Sequence, residues 1–249
     1  MKFINKFKSL NYNSRKFQNI KYIIIHYTAL KNYNEAISYL CDKDKKVSSH
    51  YLISQEGKVY ILVPEKKRAW HAGISYWEND TDINSLSIGI ELDYSHTYSN
   101  NKYTKKMIRS LCILLKTLIK KYNISSKNIL GHSDISPFRK NDPGPNFPWK
   151  KLIKFNIIFD PFKESPIKII IVKKWFSKNK FKSKHKISLF IFSFIGFDTR
   201  SSLLKRSISK RLIKVYQERY IKTNISGKID EITYNHLIKH FVNLVLTKK

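Results

Sequence analysis

The sequence predicts an α/β fold with a mixed central β-sheet flanked by helices and a small C-terminal three-helix domain. Three observations carry this prediction. Short runs of β-branched residues alternate with helix-like segments over residues 20–158, and two of these runs flank a hairpin signal. The last third of the chain consists of helix-like segments that end at single glycines. Strands and helices mixed in this way, with one hairpin, favour a sheet that contains both parallel and antiparallel pairs.

The predicted strands are short and rich in β-branched and aromatic residues. They cover residues 21–28, 49–54, 58–63, 86–93 and 128–131. Gly57 lies between the second and third strands and can adopt the positive φ that a tight hairpin needs. Gly89 interrupts the fourth strand, and a glycine inside a strand often marks a close approach to the backbone. The last strand leads into a loop that begins at His132.

Helix signals fall between and after these strands. Residues 34–41 form one candidate helix, and Thr104 is a suitable N-cap for a long amphipathic helix that ends near Tyr122. Three further helix-like segments cover residues 186–196, 201–221 and 230–246. These boundaries divide the chain into an N-terminal extension (1–19), an α/β domain (20–158), a linker and connecting segment (159–185) and a helical domain (186–249).

Basic residues dominate the charge of the chain. There are 48 lysines and arginines against 18 aspartates and glutamates, which gives a formal net charge of +30. Such a charge fits an anionic partner, but compositional drift toward Lys, Ile, Asn, Phe and Tyr, whose codons are rich in A and T, is the favoured explanation. The lysines are spread along the chain, and we find no zinc finger, RNA-binding signature or helical basic stripe. We therefore predict no nucleic-acid partner.

The sequence gives few signs of export or cross-linking. The two cysteines, Cys41 and Cys112, lie in helix-like stretches and imply no disulfide framework. The first 20 residues contain no apolar stretch of signal-peptide length. The longest apolar run, residues 187–197, is too short to span a bilayer. We expect a monomer with no transmembrane segment and, for the chain as written, a cytoplasmic location.

Two histidines and an aspartate stand where predicted strands end or a turn begins. His26 ends one strand, His132 follows another, and Asp142 precedes Pro143 in a stiff Asp-Pro-Gly-Pro turn. Hydrolytic zinc sites take three ligands of this kind and keep a fourth position for water. Lys140 lies two positions before Asp142, and in an extended segment both side chains face the same side. Each histidine alone is more often structural, so the set carries the prediction.

Five motifs occur in an order that resembles a known family. They are YIIIHYT (22–28), VSSHYLI (47–53), RAWHAG (68–73), NSLSIGIEL (84–92) and GHSDISPFRKNDPGP (131–145). They resemble the zinc-dependent N-acetylmuramoyl-L-alanine amidases of the type-2 amidase family, which also contains the peptidoglycan-recognition proteins and phage-type amidases. The resemblance covers about residues 20–150. With its helical tail, the chain is most similar to the outer-membrane lipoprotein type, which offers an envelope location as the alternative to the cytoplasm.

The resemblance implies a set of functional residues. His26, His132 and Asp142 would bind one Zn²⁺ per chain. Glu91 would transfer a proton and Lys140 would stabilise an oxyanion, although which of the two dominates proton transfer stays open. The implied reaction is hydrolysis of the amide between N-acetylmuramic acid, or its 1,6-anhydro form, and L-alanine in peptidoglycan or muropeptides, for cell-wall turnover or recycling. A non-catalytic muropeptide-recognition protein on the same fold is the alternative.

Several residues keep two interpretations. Glu91 is otherwise a surface carboxylate at a strand end, and Asp93 is a weaker candidate for the same role. Trp70 and His71 would line a substrate groove or belong to the core, whereas His50 would form structural hydrogen bonds. The helical tail resembles peptidoglycan-binding three-helix modules, or it is a cap that only covers the amidase core.

Overall fold

A six-stranded β-sheet forms the centre of the structure. A computed structural model describes residues 2–163, 166–179, 181, 183–204 and 208–246. The strands are β1 (Phe3–Ile4), β2 (Tyr12–Ser14), β3 (Tyr22–Tyr27), β4 (Tyr51–Ile53), β5 (Val59–Ile61), β6 (Lys67–Ala69), β7 (Ser87–Leu92) and β8 (Ile129–Gly131). The order in the sheet is β1-β5-β4-β7-β3-β8, and β2 pairs with β6 in a separate antiparallel ribbon.

The sheet is mixed, as the sequence predicts. β4 and β5 form the predicted antiparallel hairpin, in which Gly57 has a φ of 80°. The other neighbours within the sheet are parallel. β3 and β7 occupy central positions and are largely buried, which accounts for the run of isoleucines in β3. Their register pairs His26 with Glu91, so both side chains reach the same edge of the sheet.

Helices cover both faces of this sheet. They are α1 (Tyr33–Cys41), α2 (Ile83–Leu86), α3 (Lys105–Tyr122), α4 (His132–Ile135), α5 (Trp149–Lys154), α6 (Pro166–Lys178), α7 (Lys184–Ile195), α8 (Arg200–Leu204), α9 (Lys210–Tyr220) and α10 (Glu231–Leu246). The predicted cap of the long helix is confirmed, because the Thr104 side chain accepts a hydrogen bond from the amide of Met107. Within the described residues, no helix is both long and apolar enough to cross a membrane.

Alternate residues of β3 pack into different parts of the core. Ile23 and Ile25 lie in one hydrophobic cluster with α3 and α5. Tyr22 and Ile24 point to the other face and lie in a cluster with the C-terminal helices α7, α9 and α10. The sheet is therefore enclosed between α3 and the helical tail. This shared core favours the interpretation of the tail as a cap over the sheet.

The C-terminal region contains more helices than the sequence indicates. The predicted linker and connecting segment over residues 159–185 contains helix α6, which the sequence patterns did not indicate. Pro166 is the first residue of α6, a position where a proline is favoured because its missing amide donor is not needed. The single helix predicted over residues 201–221 is described as α8 and α9, and residues 205–207 lie outside the described residues. The described tail thus forms five helices instead of three.

Candidate metal centre

Three polar side chains meet at the carboxyl-end edge of the parallel strands. His26 is the second-last residue of strand β3, and His132 is the first residue of α4, directly after β8. The loop expected at His132 is thus a short helix. Asp142 lies ten residues further, before a cis peptide bond to Pro143. All three residues are buried. Buried polar atoms are costly unless they bind a hydrogen-bonding partner or an ion.

The facing atoms of these residues form a nearly equilateral triangle. The Nδ1 atoms of His26 and His132 are 3.0 Å apart, and each lies 3.0 Å from Oδ2 of Asp142. A tetrahedral zinc site with bonds of about 2.0–2.1 Å has ligand–ligand edges of about 3.3 Å. The three atoms therefore fit one face of such a tetrahedron. The potential ligand atoms of His26, His132 and Asp142 all lie within 4.8 Å of one another, which is close enough to hold a metal ion.

Hydrogen bonds on the far side of each imidazole fix its tautomer. Nε2 of His132 lies 3.0 Å from the carbonyl oxygen of Ala72, so it carries the proton and donates it. Nε2 of His26 lies 3.0 Å from Nδ1 of His71, and Nε2 of His71 lies 3.2 Å from Oγ of Ser87. The Ser87 hydroxyl in turn donates to the carbonyl of Ile83 at 2.6 Å.

This chain of bonds has one consistent direction. Because a carbonyl only accepts, Ser87 must donate to Ile83 and accept from His71, and His71 must then accept from His26. Burial, together with the neighbouring His26 and His50, lowers the pKa of His71 well below its usual range, so its ring is neutral and can accept. The Nδ1 lone pairs of His26 and His132 are thereby left facing the centre of the triangle, as metal ligands require.

The ring of His71 lies directly against the backbone of Gly89. A Cβ atom at Gly89 would come within 2.5–2.8 Å of three ring atoms of His71. The close approach predicted at this glycine is therefore present, and its cause is the His71 ring, which hydrogen-bonds to His26. Ser87, Gly89 and Glu91 alternate on one face of β7, and this period of two is the sequence signal from which Ser87 could have been found.

Gly89→Ala is expected to destabilise the protein by about 1–3 kcal/mol, because the new methyl group overpacks the His71 ring. Thermal or urea unfolding measures this cost in four proteins: wild type, Gly89→Ala, His71→Ala and the double variant. The ring is what the methyl group meets, so the substitution at Gly89 should cost much less in the His71→Ala background. Equal costs in both backgrounds would contradict this account of the glycine.

Glu91 faces the cavity beside the triangle with one oxygen unsatisfied. Its Oε2 atom is buried and has no hydrogen-bond partner among the described residues. Burial, followed by repulsion from Asp142, raises the pKa of the Glu91 carboxyl to about 8, and Lys140 opposes this rise. A buried carboxyl with a free oxygen and a pKa close to neutrality is suited to accept and return a proton. The structure thus places Glu91 inside the cavity and not on the outer surface.

The protonation states of the ligands suit a cation. Burial raises the pKa of Asp142, but its bonds and charge interactions with His132 and His26 outweigh burial and hold it well below its usual range. Burial, and then the neighbouring His132, lowers the pKa of His26 to about 4. Near neutral pH the centre therefore presents a carboxylate and a neutral imidazole, which are the forms that bind metal.

The other candidate residues fall into two groups. Lys140 and Trp70 line the same cavity of about 370 Å³ as the triangle. Asp93 does not line it, because its carboxylate accepts a hydrogen bond from the Asn100 side chain at 2.8 Å. His50 forms structural hydrogen bonds, as predicted: its Nδ1 accepts from the Gly89 amide at 3.0 Å.

Sequence reasoning missed Arg139 at the rim of the cavity. Its Nη2 donates to the carbonyls of Ala72 and Ile74 at 2.8 and 2.9 Å. The Ala72 carbonyl therefore receives bonds from both Arg139 and His132, which ties the segment after His71 to the metal centre. No pattern in the sequence marks this role, since it depends on a main-chain oxygen.

The buried group of two histidines and one carboxylate could hold a metal ion, and ligand sets of this kind are typical of metal-dependent hydrolases. The profile of the Amidase_2 family, described as N-acetylmuramoyl-L-alanine amidase, matches residues 16–145, just over half of the chain. The chain belongs to this family. The match includes every residue of the triangle as well as Glu91 and Lys140.

Curated relatives match over part of their length. The chain is 40% identical over 154 residues to N-acetylmuramoyl-L-alanine amidase AmiD of Escherichia coli (strain K12), which covers 57% of this chain and 55% of AmiD. It is 42% identical over 106 residues to 1,6-anhydro-N-acetylmuramyl-L-alanine amidase AmpD of the same organism, covering 43% of this chain and 56% of AmpD. The matched region thus spans about half the length of these relatives.

Solved structures match over nearly the whole chain. AmiD of E. coli, in complex with anhydro-N-acetylmuramic acid-L-Ala-D-γ-Glu-L-Lys as its substrate, aligns with a TM-score of 0.72 at 30% identity and covers 94% of both chains. AmpDh3 of Pseudomonas aeruginosa aligns with a TM-score of 0.74 at 26% identity and covers 92% of both chains. Coverage of this extent includes most of the C-terminal helices.

Proposed function

We propose that this chain is a zinc-dependent N-acetylmuramoyl-L-alanine amidase. It hydrolyses the amide between N-acetylmuramic acid, or its 1,6-anhydro form, and the L-alanine of a muropeptide. The observation that carries the proposal is the buried triangle of His26, His132 and Asp142 with the free Oε2 of Glu91 in the same cavity. Membership of the amidase family supports the same conclusion.

Zinc is the metal that this donor set fits best. Two imidazole nitrogens and one carboxylate oxygen, on a face that leaves a fourth position open, are typical of catalytic zinc sites. When bound, zinc lowers the pKa of a water to about 7 and polarises a carbonyl group. His26, His132 and Asp142 would hold it, and His71 and the Ala72 carbonyl would orient the two imidazoles.

The protein groups supply proton transfer and charge stabilisation. Glu91 takes the proton from the attacking water and returns it to the nitrogen of L-alanine as the amide bond breaks. Lys140 stabilises the negative charge that develops on the amide oxygen. Both residues line the cavity next to the triangle, so one bound amide can meet both.

The relatives support a muropeptide as the substrate. AmiD is described with an anhydro-muramyl peptide as its substrate, and AmpDh3 with anhydromuramic pentapeptide. Recognition without cleavage requires neither three potential metal ligands grouped together nor a carboxyl with a raised pKa beside them. The grouping of His26, His132 and Asp142 and the raised pKa of Glu91 therefore favour hydrolysis. Hydrolysis explains both the grouped potential metal ligands and the raised pKa of Glu91, whereas recognition alone explains neither.

Removal of the metal is expected to abolish the activity reversibly. Protein treated with a chelator and dialysed should release no free stem peptide from an anhydro-muropeptide, and one equivalent of Zn²⁺ per chain should restore release. Elemental analysis of the untreated protein measures the stoichiometry, and liquid chromatography with mass spectrometry identifies the products. Intact sacculi assayed in parallel distinguish turnover of the wall from recycling of fragments. Undiminished release by the metal-free protein would refute the proposal.

A further inference from the structure

Helix α9 lies against the segment that carries three of the five proposed active-site residues. Residues 131–142, called the ligand segment below, contain His132, Lys140 and Asp142. Two arginines of α9, Arg211 and Arg219, bond to it. They are eight residues apart, which is about 12 Å along a helix, and lie on one side of it because eight residues are slightly more than two turns. One helix face thus reaches both ends of the ligand segment.

Arg219 fixes the beginning of the ligand segment. Its guanidinium is buried, forms an ion pair with Asp134 and donates to the carbonyl of Ile129 at 2.9 Å. The guanidinium carbon lies 4.1 Å from the ring centroid of Trp149. Asp134 also accepts a hydrogen bond from the Gly131 amide at 2.7 Å. The backbone on either side of His132 is thereby held between β8 and α9.

Arg211 fixes the other end. Its Nε donates to the carbonyl of Pro137 at 3.0 Å, and its Nη2 donates to the carbonyl of Lys140 at 3.0 Å and to Oδ1 of Asn141 at 2.6 Å. Glu218, one α9 residue before Arg219, holds Nη1 of Arg211 at 3.2 Å. One planar guanidinium therefore contacts residues 137, 140 and 141. These contacts fix the backbone of Lys140 and of the residue directly before Asp142.

The two ends are also joined inside the ligand segment. The amide of Ser133 donates to the carbonyl of Asp142 at 2.8 Å, so a shift of residues 137–141 is transmitted to the neighbour of His132. Metal ligands within such a segment must keep the 3.0 Å spacing of the triangle to bind an ion. Partners that orient metal ligands typically affect metal affinity by about 10–100-fold.

We propose that Arg211 is a positioning residue for the metal centre and that the C-terminal helices complete the active site instead of acting as a separate module. The proposal deepens the proposed function, because it treats His132, Lys140 and Asp142 as the working residues. It assigns to α9 the task of holding Lys140 and Asp142 relative to β3 and β7, which carry His26 and Glu91.

The test compares Arg211→Ala, Arg211→Lys and Arg200→Ala in the full chain. Arg200 lies on α8, is exposed and pairs with Asp198, so its variant controls for loss of a surface arginine in the same region. Zinc affinity is measured by chelator competition, and the absorption spectrum of the Co²⁺-substituted protein reports the ligand geometry. We expect Arg211→Ala to bind zinc about tenfold or more weakly, with an altered Co²⁺ spectrum and a lower kcat at nearly constant KM.

The lysine variant separates positioning from charge. Lysine keeps the positive charge but lacks the fork that reaches three acceptors, so Arg211→Lys should resemble Arg211→Ala, and Arg200→Ala should resemble wild type. Wild-type zinc affinity and spectrum in Arg211→Ala, even with a lower melting temperature of the metal-free protein, would overturn the proposal. Full rescue by lysine would overturn it too. Zinc affinity is measured without substrate. A wild-type protein that binds zinc but cleaves no muropeptide would therefore refute the proposed function and leave the positioning role of Arg211 standing.

Discussion

Glu91→Gln is expected to lower kcat by about 10²–10⁴-fold while the protein still binds one zinc ion. Glutamine keeps the shape of the side chain but cannot accept a proton from water or return it to the leaving nitrogen. The triangle of ligands is unchanged, because Glu91 is not one of its members. A loss of turnover with the metal retained would therefore assign proton transfer to Glu91 and leave Lys140 with charge stabilisation.

The same substitution is expected to stabilise the metal-free protein at alkaline pH. The pKa of Glu91 rises from 4.5 to about 8 on folding, chiefly because of burial, so the folded state holds this proton more tightly than the unfolded state. The free energy of unfolding therefore falls as pH rises from about 4.5 to about 8. Glutamine does not ionise, so the variant avoids this loss above pH 8 and has no such advantage below pH 4.5.

Thermal melting of metal-free wild type and variant at about pH 5 and pH 8.5 tests that sign. We expect the Glu91→Gln protein to melt at least about 2 °C higher at the alkaline pH, and the difference to shrink at the acid pH. Glu56→Gln is a suitable control, because Glu56 is exposed. A variant with kcat within about tenfold of wild type, or with equal melting temperatures at both pH values, would remove Glu91 from the role proposed for it.

The sheet and the grouping of His26, His132 and Asp142 were accessible from sequence because they depend on local patterns. The strand that contains His26 has three consecutive isoleucines, and the strand that contains Glu91 has an isoleucine on either side of Gly89. These strands are parallel neighbours, which brings their ends together. Thr104 predicted the start of α3 because capping involves only nearby residues. In the same way, Gly89 predicted that another group lies close to the backbone of β7, but the sequence did not indicate that this group is the His71 ring.

The supporting contacts were not accessible from sequence because they join distant parts of the chain. His71 supports His26 across 45 positions, and Arg211 holds the backbone of Lys140 across 71 positions. A carbonyl acceptor such as that of Ala72 leaves no mark in residue type at all. The sequence analysis placed the C-terminal helices in a separate domain for a related reason. Helical periodicity predicts that a helix has an apolar face, but it does not indicate that this face packs on the central sheet.

Asp142→Asn is expected to weaken zinc binding by more than about 100-fold, beyond the range for residues that only orient ligands. The carboxylate supplies the anionic ligand of the triangle, and Oδ2 lies 3.0 Å from both imidazole nitrogens. An amide supplies no negative charge. It can also turn its NH₂ group toward the Nδ1 lone pairs, which would satisfy them without a metal. The variant should therefore fold, yet lose both zinc and activity.

Melting with and without zinc separates this loss from general damage. A ligand that binds only the folded state stabilises it by RT ln(1 + [L]/Kd), so wild type should melt higher when zinc is present and Asp142→Asn should not. Asp44→Asn, at an exposed position, should keep the wild-type response. One equivalent of zinc bound with wild-type affinity in Asp142→Asn would exclude the triangle as the metal centre, whatever the activity of the variant.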